Sequence, residues 1–150
     1  MQKTFLSFSE DQTSQFAEKV AQIAKKGDVF ALRGNLGVGK SVFARAFIKK
    51  LTQAEEVPSP TFTLLQEYIA PEFRVFHFDL YRLKSPDEVF EIGFEEAVYG
   101  GVSLIEWPEK AGSWLPKDVF NIFISSKDDE RNIIIEAFSN DKISRLEQIE

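Results

Sequence analysis

The sequence predicts one α/β domain over residues 1–150, with a mixed, mostly parallel central sheet flanked by helices and an antiparallel portion. Three observations predict it. The runs Val29–Leu32 and Val102–Ile105 are short and continuously apolar, as expected of strands covered on both faces. Segments with helical spacing alternate with segments of strand type, without internal repeats, low-complexity stretches or linkers. The length of 150 residues, with 43% hydrophobic and 28% charged, suits one globular domain with a conventional core rather than a disordered or fibrous chain.

Each element has a local reason. Ser9 with Gln12 makes a capping-box pattern, and Glu10 and Asp11 lie where a helix N-terminus favours negative charge. Phe16, Ala17, Val20, Ala21 and Ala24 recur at helical spacing, Lys25 and Lys26 close the helix, and Gly27 stops it. After the Val29–Leu32 strand comes a glycine-rich turn, then a helix from Lys40 with Phe43, Ala46, Phe47 and Leu51 as its buried stripe. Pro58 and Pro60 make 53–63 a loop. Leu64–Ile69 and Arg74–Leu80 read as strands around a turn at Ala70-Pro71, short enough for an antiparallel hairpin. Ser85-Pro86-Asp87-Glu88 signals another helix start, and a short helix near Glu95–Tyr99 ends at Gly100-Gly101. The Val102–Ile105 strand ends at Glu106. Val119–Ile124 and Asn132–Phe138 form a terminal strand pair around the charged turn Lys127–Arg131. Ile143, Leu146 and Ile149 share one side of a C-terminal helix.

Composition narrows the function. Lys plus Arg is 18 and Asp plus Glu is 24, a formal charge of −6. A surface that holds duplex nucleic acid through its phosphates is normally basic, which argues against general nucleic-acid binding but leaves room for a local basic strip. With no cysteine, disulfides, thiolate nucleophiles and zinc–thiolate sites are excluded. No apolar run approaches the ~20 residues of a membrane span. Met1–Phe5 has no signal-peptide core before charge returns at Glu10 and Asp11. The expectation is a cytoplasmic protein without membrane contact.

Gly34-Asn35-Leu36-Gly37-Val38-Gly39-Lys40-Ser41 matches the phosphate-loop pattern G-x-x-x-x-G-K-[ST] at every fixed position, with the required strand before it and helix after it. The chemistry follows from the residue types. Glycines let the backbone turn its N–H groups inward as an anion nest, so Asn35, Leu36, Gly37, Val38 and Gly39 are expected to bind through the main chain. The helix N-terminus adds its positive dipole end. Lys40 supplies a mobile charge for the outer phosphates, and the Ser41 hydroxyl suits Mg²⁺. The expected ligand is ATP with Mg²⁺, on a P-loop NTPase fold. The alternative is a glycine-rich strand–helix turn with an exposed lysine.

Mg²⁺ needs a carboxylate as well as Ser41, usually at the end of a neighbouring strand. Glu106 ends an apolar strand of Walker B type, with Glu in place of the usual Asp, and Asp79 ends the strand bearing His77. For both, the plainer reading is a solvated acid at a strand end. Glu109 reads as an ordinary acid of a helix N-terminus. Thr61 and Thr63 lie in the proline-bearing loop, where such proteins can sense a γ-phosphate through a Thr on Mg²⁺. His77, the only histidine, reads first as a hydrogen-bonded packing residue and second as a base. Trp107 is placed to stack on the nucleotide or a partner, or simply to pack. Arg45, Lys49 and Lys50 form a basic strip whose plain reading is a solvated helix face. Arg82 is the one internal arginine with a claim on the γ-phosphate, though it could equally pair with an acid. Ser126-Lys127-Asp128-Asp129 echoes a guanine-specificity pattern but lacks the accompanying Asp-x-x-Gly after Glu106, so it reads as a charged hairpin turn and the base as adenine.

The phosphate loop, Pro58-Ser59-Pro60-Thr61-Phe62-Thr63, His77-Phe78-Asp79-Leu80-Tyr81-Arg82-Leu83 and Ile105-Glu106-Trp107-Pro108-Glu109 together resemble the TsaE (YjeE) family, small bacterial phosphate-loop ATPases required for threonylcarbamoyladenosine modification of tRNA. The resemblance runs in order over nearly the whole chain, with the tail after Phe138 outside its motifs. It implies an ATPase that works with the TsaB and TsaD proteins and does not itself transfer the threonylcarbamoyl group. Transfer RNA would then be reached indirectly or through the basic strip. It further implies Lys40 on the phosphates, Ser41 and Glu106 at Mg²⁺, Thr61 in a switch-like loop, Asp79 near the metal or attacking water, and Trp107 beside the site. Two other readings of the residues are a small-molecule kinase, against which stands the lack of an arginine-rich lid between Tyr81 and Gly101, and a nucleotide-dependent binding module without turnover.

Overall fold

A computed structural model describes residues 1–35 and 37–149. Seven strands form one sheet: β1 (Gln2–Ser7), β2 (Val29–Arg33), β3 (Leu65–Ile69), β4 (Arg74–Asp79), β5 (Gly101–Glu106), β6 (Phe120–Lys127) and β7 (Glu130–Glu136). Their order is β1-β7-β6-β2-β5-β4-β3. The four middle strands, β6, β2, β5 and β4, run parallel. The outer pairings β3–β4, β6–β7 and β1–β7 are antiparallel. Parallel strands need crossover connections and bury both faces, which accounts for the unbroken apolar runs of β2 and β5.

Helices α1 (Glu10–Gln22), α2 (Lys40–Thr52) and α4 (Asn140–Leu146) cover one face of the sheet, and α3 (Phe94–Gly100) with two 3₁₀ segments, Pro86–Ile92 and Pro108–Trp114, covers the other. The period-2 alternation of β2 divides its side chains between the two layers. Phe30 and Leu32 join the first, where Phe30 stacks on Phe120 at 4.8 Å and meets Phe47 edge-on at 4.9 Å. Val29 and Ala31 join the second, which is centred on Phe78 and Phe94.

Most local expectations hold, but α1 ends at Gln22 with Ile23 as its C-cap, so Lys25, Lys26 and Gly27 lie beyond it. The Ile23 and Ala24 N–H groups turn back to the Val20 and Ala21 carbonyls and close the helix early. The Ser9 hydroxyl accepts from Gln12 N–H at 3.1 Å, and the Gln12 side chain accepts from Phe8 N–H at 2.8 Å. The last strand begins at Glu130 and the last helix ends at Leu146, short of Ile149, and three further details differ. Strand β1 lacks a turn signal or an apolar run, because its definition comes from pairing with β7 more than a hundred residues away. The stretch after Ser85 is 3₁₀, and Ser85 makes no side-chain cap; instead Glu88 accepts from Lys84 N–H at 3.1 Å. The buried stripe of α2 is Phe43, Ala44, Phe47 and Ile48, with Ala46 and Leu51 half-buried, because α1 packs along α2 and turns it.

Candidate functional site

Parallel packing brings the C-terminal ends of β2, β5 and β4 to one edge, the usual place for a ligand in an open α/β sheet. Register sets Leu32 beside Glu106 and Glu106 beside Asp79. The chain leaves β2 through the glycine turn and enters α2. Gly37 and Gly39 take left-handed φ of 80° and 109°, which side chains with Cβ resist. Gly39 is the N-cap of α2 without a side-chain cap, so the first N–H groups of that helix face outward for a ligand.

The edge holds a cleft of about 760 Å³. Gly37, Gly39, Lys40 and Ser41 line it, as do Thr61, Asp79, Glu106 and Trp107. Val38 instead turns into the core, 6% exposed, so any binding by it passes through the main chain, and Asn35 is exposed and does not line the cleft. The expectation for Leu36 falls outside the described residues.

Lys40 is 5% exposed, and its ammonium has no hydrogen-bond partner among the described residues. It lies 3.8 Å from the Trp107 ring centre, over a face that attracts cations. Burial lowers the Lys40 pKa, against the opposing pull of Glu106, Asp79 and Glu109. Trp107 reaches this place through a left-handed backbone with φ of 57°, a conformation that costs a non-glycine residue of order 1 kcal/mol. A buried, unpaired ammonium at the mouth of an anion nest fits a phosphate group, as the motif requires.

The two acids are buried and engaged. Asp79, 6% exposed, accepts from the Thr61 hydroxyl at 3.0 Å and from Tyr81 N–H at 3.0 Å. Glu106, 7% exposed, bonds His77 Nε2 through Oε2 at 2.7 Å. Neither is a solvated strand-end acid. His77 is thus a buried hydrogen-bonded residue whose partner is the candidate metal acid. Among the described residues no three carboxylate or imidazole groups converge on a point, so a divalent ion on Ser41 and Glu106 would need phosphate oxygens and water to complete its shell.

Other expected residues lie elsewhere. Arg82 is exposed and sits 5.0 Å over the exposed ring of Phe62, outside the cleft lining. Thr63 accepts from Gln66 at the exposed rim. Glu109, in the first turn of Pro108–Trp114, approaches Arg33 at 3.7 Å. Arg45, Lys49 and Lys50 are exposed on the outer face of α2, as their plain reading has it.

The sequence reading missed one wall altogether. Asp128, Asp129 and Arg131 line the cleft from the β6–β7 hairpin, with Phe8, Ser9, Glu10 and Thr13 beside them. The turn is charged, as expected, but is confined to Asp128 and Asp129, with Arg131 already in β7; β6 is the parallel neighbour of β2, which carries that turn to the phosphate loop. Strand order is the signal that was lacking.

Comparison with known proteins gives consistent findings. Residues 7–133 match the family described as "Threonylcarbamoyl adenosine biosynthesis protein TsaE". The chain is 42% identical over 126 residues to the tRNA threonylcarbamoyladenosine biosynthesis protein TsaE of Rickettsia bellii, covering 83% of this chain and 88% of that protein. It is 38% identical over 132 residues to the protein of the same name from Bacillus subtilis, covering 87% and 82%. The crystal structure of Bacillus subtilis YdiB superposes with a TM-score of 0.81 at 31% identity, over 99% of this chain and 94% of that one.

Proposed function

The chain belongs to the TsaE family of tRNA threonylcarbamoyladenosine biosynthesis, and on that premise we propose that it is an Mg²⁺-dependent ATP-binding and ATP-hydrolysing accessory protein that works with TsaB and TsaD and does not transfer the threonylcarbamoyl group. One observation carries the reading above all. The Lys40 ammonium is buried, unpartnered among the described residues, and set at the uncapped N-terminus of α2 with two buried carboxylates opposite. Such a group is costly unless an anion completes it.

In this reading the backbone from Gly37 to Ser41 holds the phosphates, and Lys40 neutralises the outer ones. Ser41 and Glu106 would hold Mg²⁺, which would supply screening of the phosphate charge that repels an attacking oxygen. His77 keeps the Glu106 carboxylate in place by its 2.7 Å bond. Asp79 orients the attacking water and is itself steadied by Thr61 and Tyr81. Thr61 links its loop to that acid, so order in the loop and position of the acid are coupled.

The test is calorimetric titration of Mg²⁺–ATP beside phosphate release with no added acceptor. Lys40→Ala should weaken ATP binding by at least about tenfold, because it removes a charge-assisted contact. Glu106→Gln should leave most of the affinity and suppress hydrolysis, because the loop still holds the phosphates while the metal loses its acid. Undiminished binding in Lys40→Ala would refute the loop assignment, and unchanged hydrolysis in Glu106→Gln would move the metal role to Asp79.

A further inference from the structure

The cleft has a second cation, supplied by the β6–β7 hairpin. Arg131, the second residue of β7, pairs in the sheet with Ser7 of β1 and Ser126 of β6. Its side chain extends over the phosphate loop, with Nε 3.9 Å from where a Cβ on Gly39 would stand. It is half-buried and lines the cleft with Gly37, Lys40 and Ser41. Among the described residues its one side-chain hydrogen bond runs from Nη1 to the neighbouring Glu130 carbonyl at 3.1 Å. Among the described residues no carboxylate lies within ion-pair distance of the guanidinium, although Asp128 and Asp129 share its wall.

Charge makes this placement informative. The lining carries five carboxylates, Glu10, Asp79, Glu106, Asp128 and Asp129, against the two cations Lys40 and Arg131. A polyanion entering such a cleft is favoured by each cation that can reach it, beside the loop N–H groups. Lys40 sits with Trp107, Glu106 and Asp79, the side assigned to the outer phosphate and metal. Arg131 reaches Gly39, in the loop backbone whose N–H groups would cradle the inner phosphates. The planar guanidinium suits that place, since its forked donors grip two phosphate oxygens at once while Lys40 acts as a point charge.

We infer that Arg131 is a nucleotide-binding residue that clamps the α- and β-phosphates from the β6–β7 hairpin, an inference that rests on the nucleotide reading of the cleft. The α- and β-phosphates are common to ATP and ADP, so the clamp holds both and does not act on the γ-phosphate. Its role is uniform binding: loss should raise KM and leave kcat nearly unchanged.

Titration calorimetry with Mg²⁺–ATP and Mg²⁺–ADP on the full chain tests it, with thermal unfolding as a check on folding. Arg131→Ala should weaken both nucleotides alike, by roughly 10- to 100-fold, as expected for charge-assisted bonds. Arg131→Lys keeps the charge but loses the fork, and should give a smaller loss shared equally by the two nucleotides. It serves as the measurement if the alanine variant does not fold. A loss confined to ATP would place the guanidinium on the γ-phosphate and overturn the assignment. Binding that Lys40→Ala weakens and both Arg131 variants leave intact would overturn it while sparing the nucleotide reading. No binding of either nucleotide by the unaltered chain would overturn both.

Discussion

At Lys40 two forces compete. Burial disfavours the ammonium, and the carboxylates of Glu106, Asp79 and Glu109 favour it; burial prevails and the pKa lies below its ordinary 10.5. Between that depressed value and 10.5 the unfolded chain binds more protons at this residue than the folded chain, so its contribution to stability improves as pH rises through the window. Bound phosphate acts the other way, because it favours the charged form. Nucleotide binding should therefore take up protons in alkaline solution, and affinity should fall as pH rises through the Lys40 value. Calorimetry of ADP binding in two buffers of different ionisation enthalpy reads the proton uptake. Lys40→Arg, which stays charged throughout, should abolish it. Equal uptake in that variant would assign the proton to another group.

The C-terminal helix shows how a short element is held. A seven-residue helix has little stability of its own, and α4 is anchored by charge in an apolar setting. The Arg145 guanidinium forks onto both oxygens of Asp28, with the Nη2–Oδ1 bond at 2.9 Å, and also donates to the Ile23 carbonyl at 2.8 Å and to Asp141 at 2.7 Å. Arg145 is 5% exposed and Asp28 3%, and the guanidinium rests 5.3 Å from the Phe120 ring centre. The bond to Asp28 raises the arginine pKa further, and the bond to Arg145 holds Asp141 below the usual carboxylate range. Without Arg145, the buried Asp28 carboxylate keeps, among the described residues, only the Lys25 N–H at 2.7 Å and the Lys142 ammonium at 3.7 Å, and loses its two-oxygen grip. Arg145→Met should therefore destabilise the fold by about 3–5 kcal/mol in urea unfolding, and adding Asp28→Asn should recover part of that loss. Additive losses in the double variant would show that the two side chains do not act as a pair.

Over the whole molecule, the cleft is assembled from segments far apart in the chain: the β1–α1 junction, the phosphate loop, the Thr61 loop, the ends of β4 and β5, and the β6–β7 hairpin. Of the arginines described, Arg131 alone lines it, and Arg82 is turned to Phe62. If Arg131 holds the inner phosphates, no guanidinium of this chain is left for the charge that spreads in a phosphoryl transition state, a service worth about 10³–10⁵ in rate when an arginine finger supplies it. The proposed hydrolysis should accordingly be slow in the isolated protein. Partners that order the Thr61 loop or contribute a charged group should raise turnover more than they tighten ATP. Single-turnover hydrolysis at saturating ATP, with and without purified TsaB and TsaD, checks this. An equal rate in both conditions would mean that the site is complete in one chain.

Local chemistry alone determined much of this protein. The phosphate loop, its flanking strand and helix, the Ser9 cap, the β3–β4 hairpin and the ends of β4 and β5 at Asp79 and Glu106 all follow from short-range rules of spacing, capping and burial. Only the tertiary structure decided the rest. It gave β1 its strand by pairing it with β7, bonded His77 to Glu106, buried Arg145 against Asp28, turned Arg82 away, and brought Arg131 over Gly39. The physical reason is common to all five. Each depends on which strands and helices lie side by side, and that order is set by how the apolar faces of the whole chain are buried together, not by the residues adjacent in sequence.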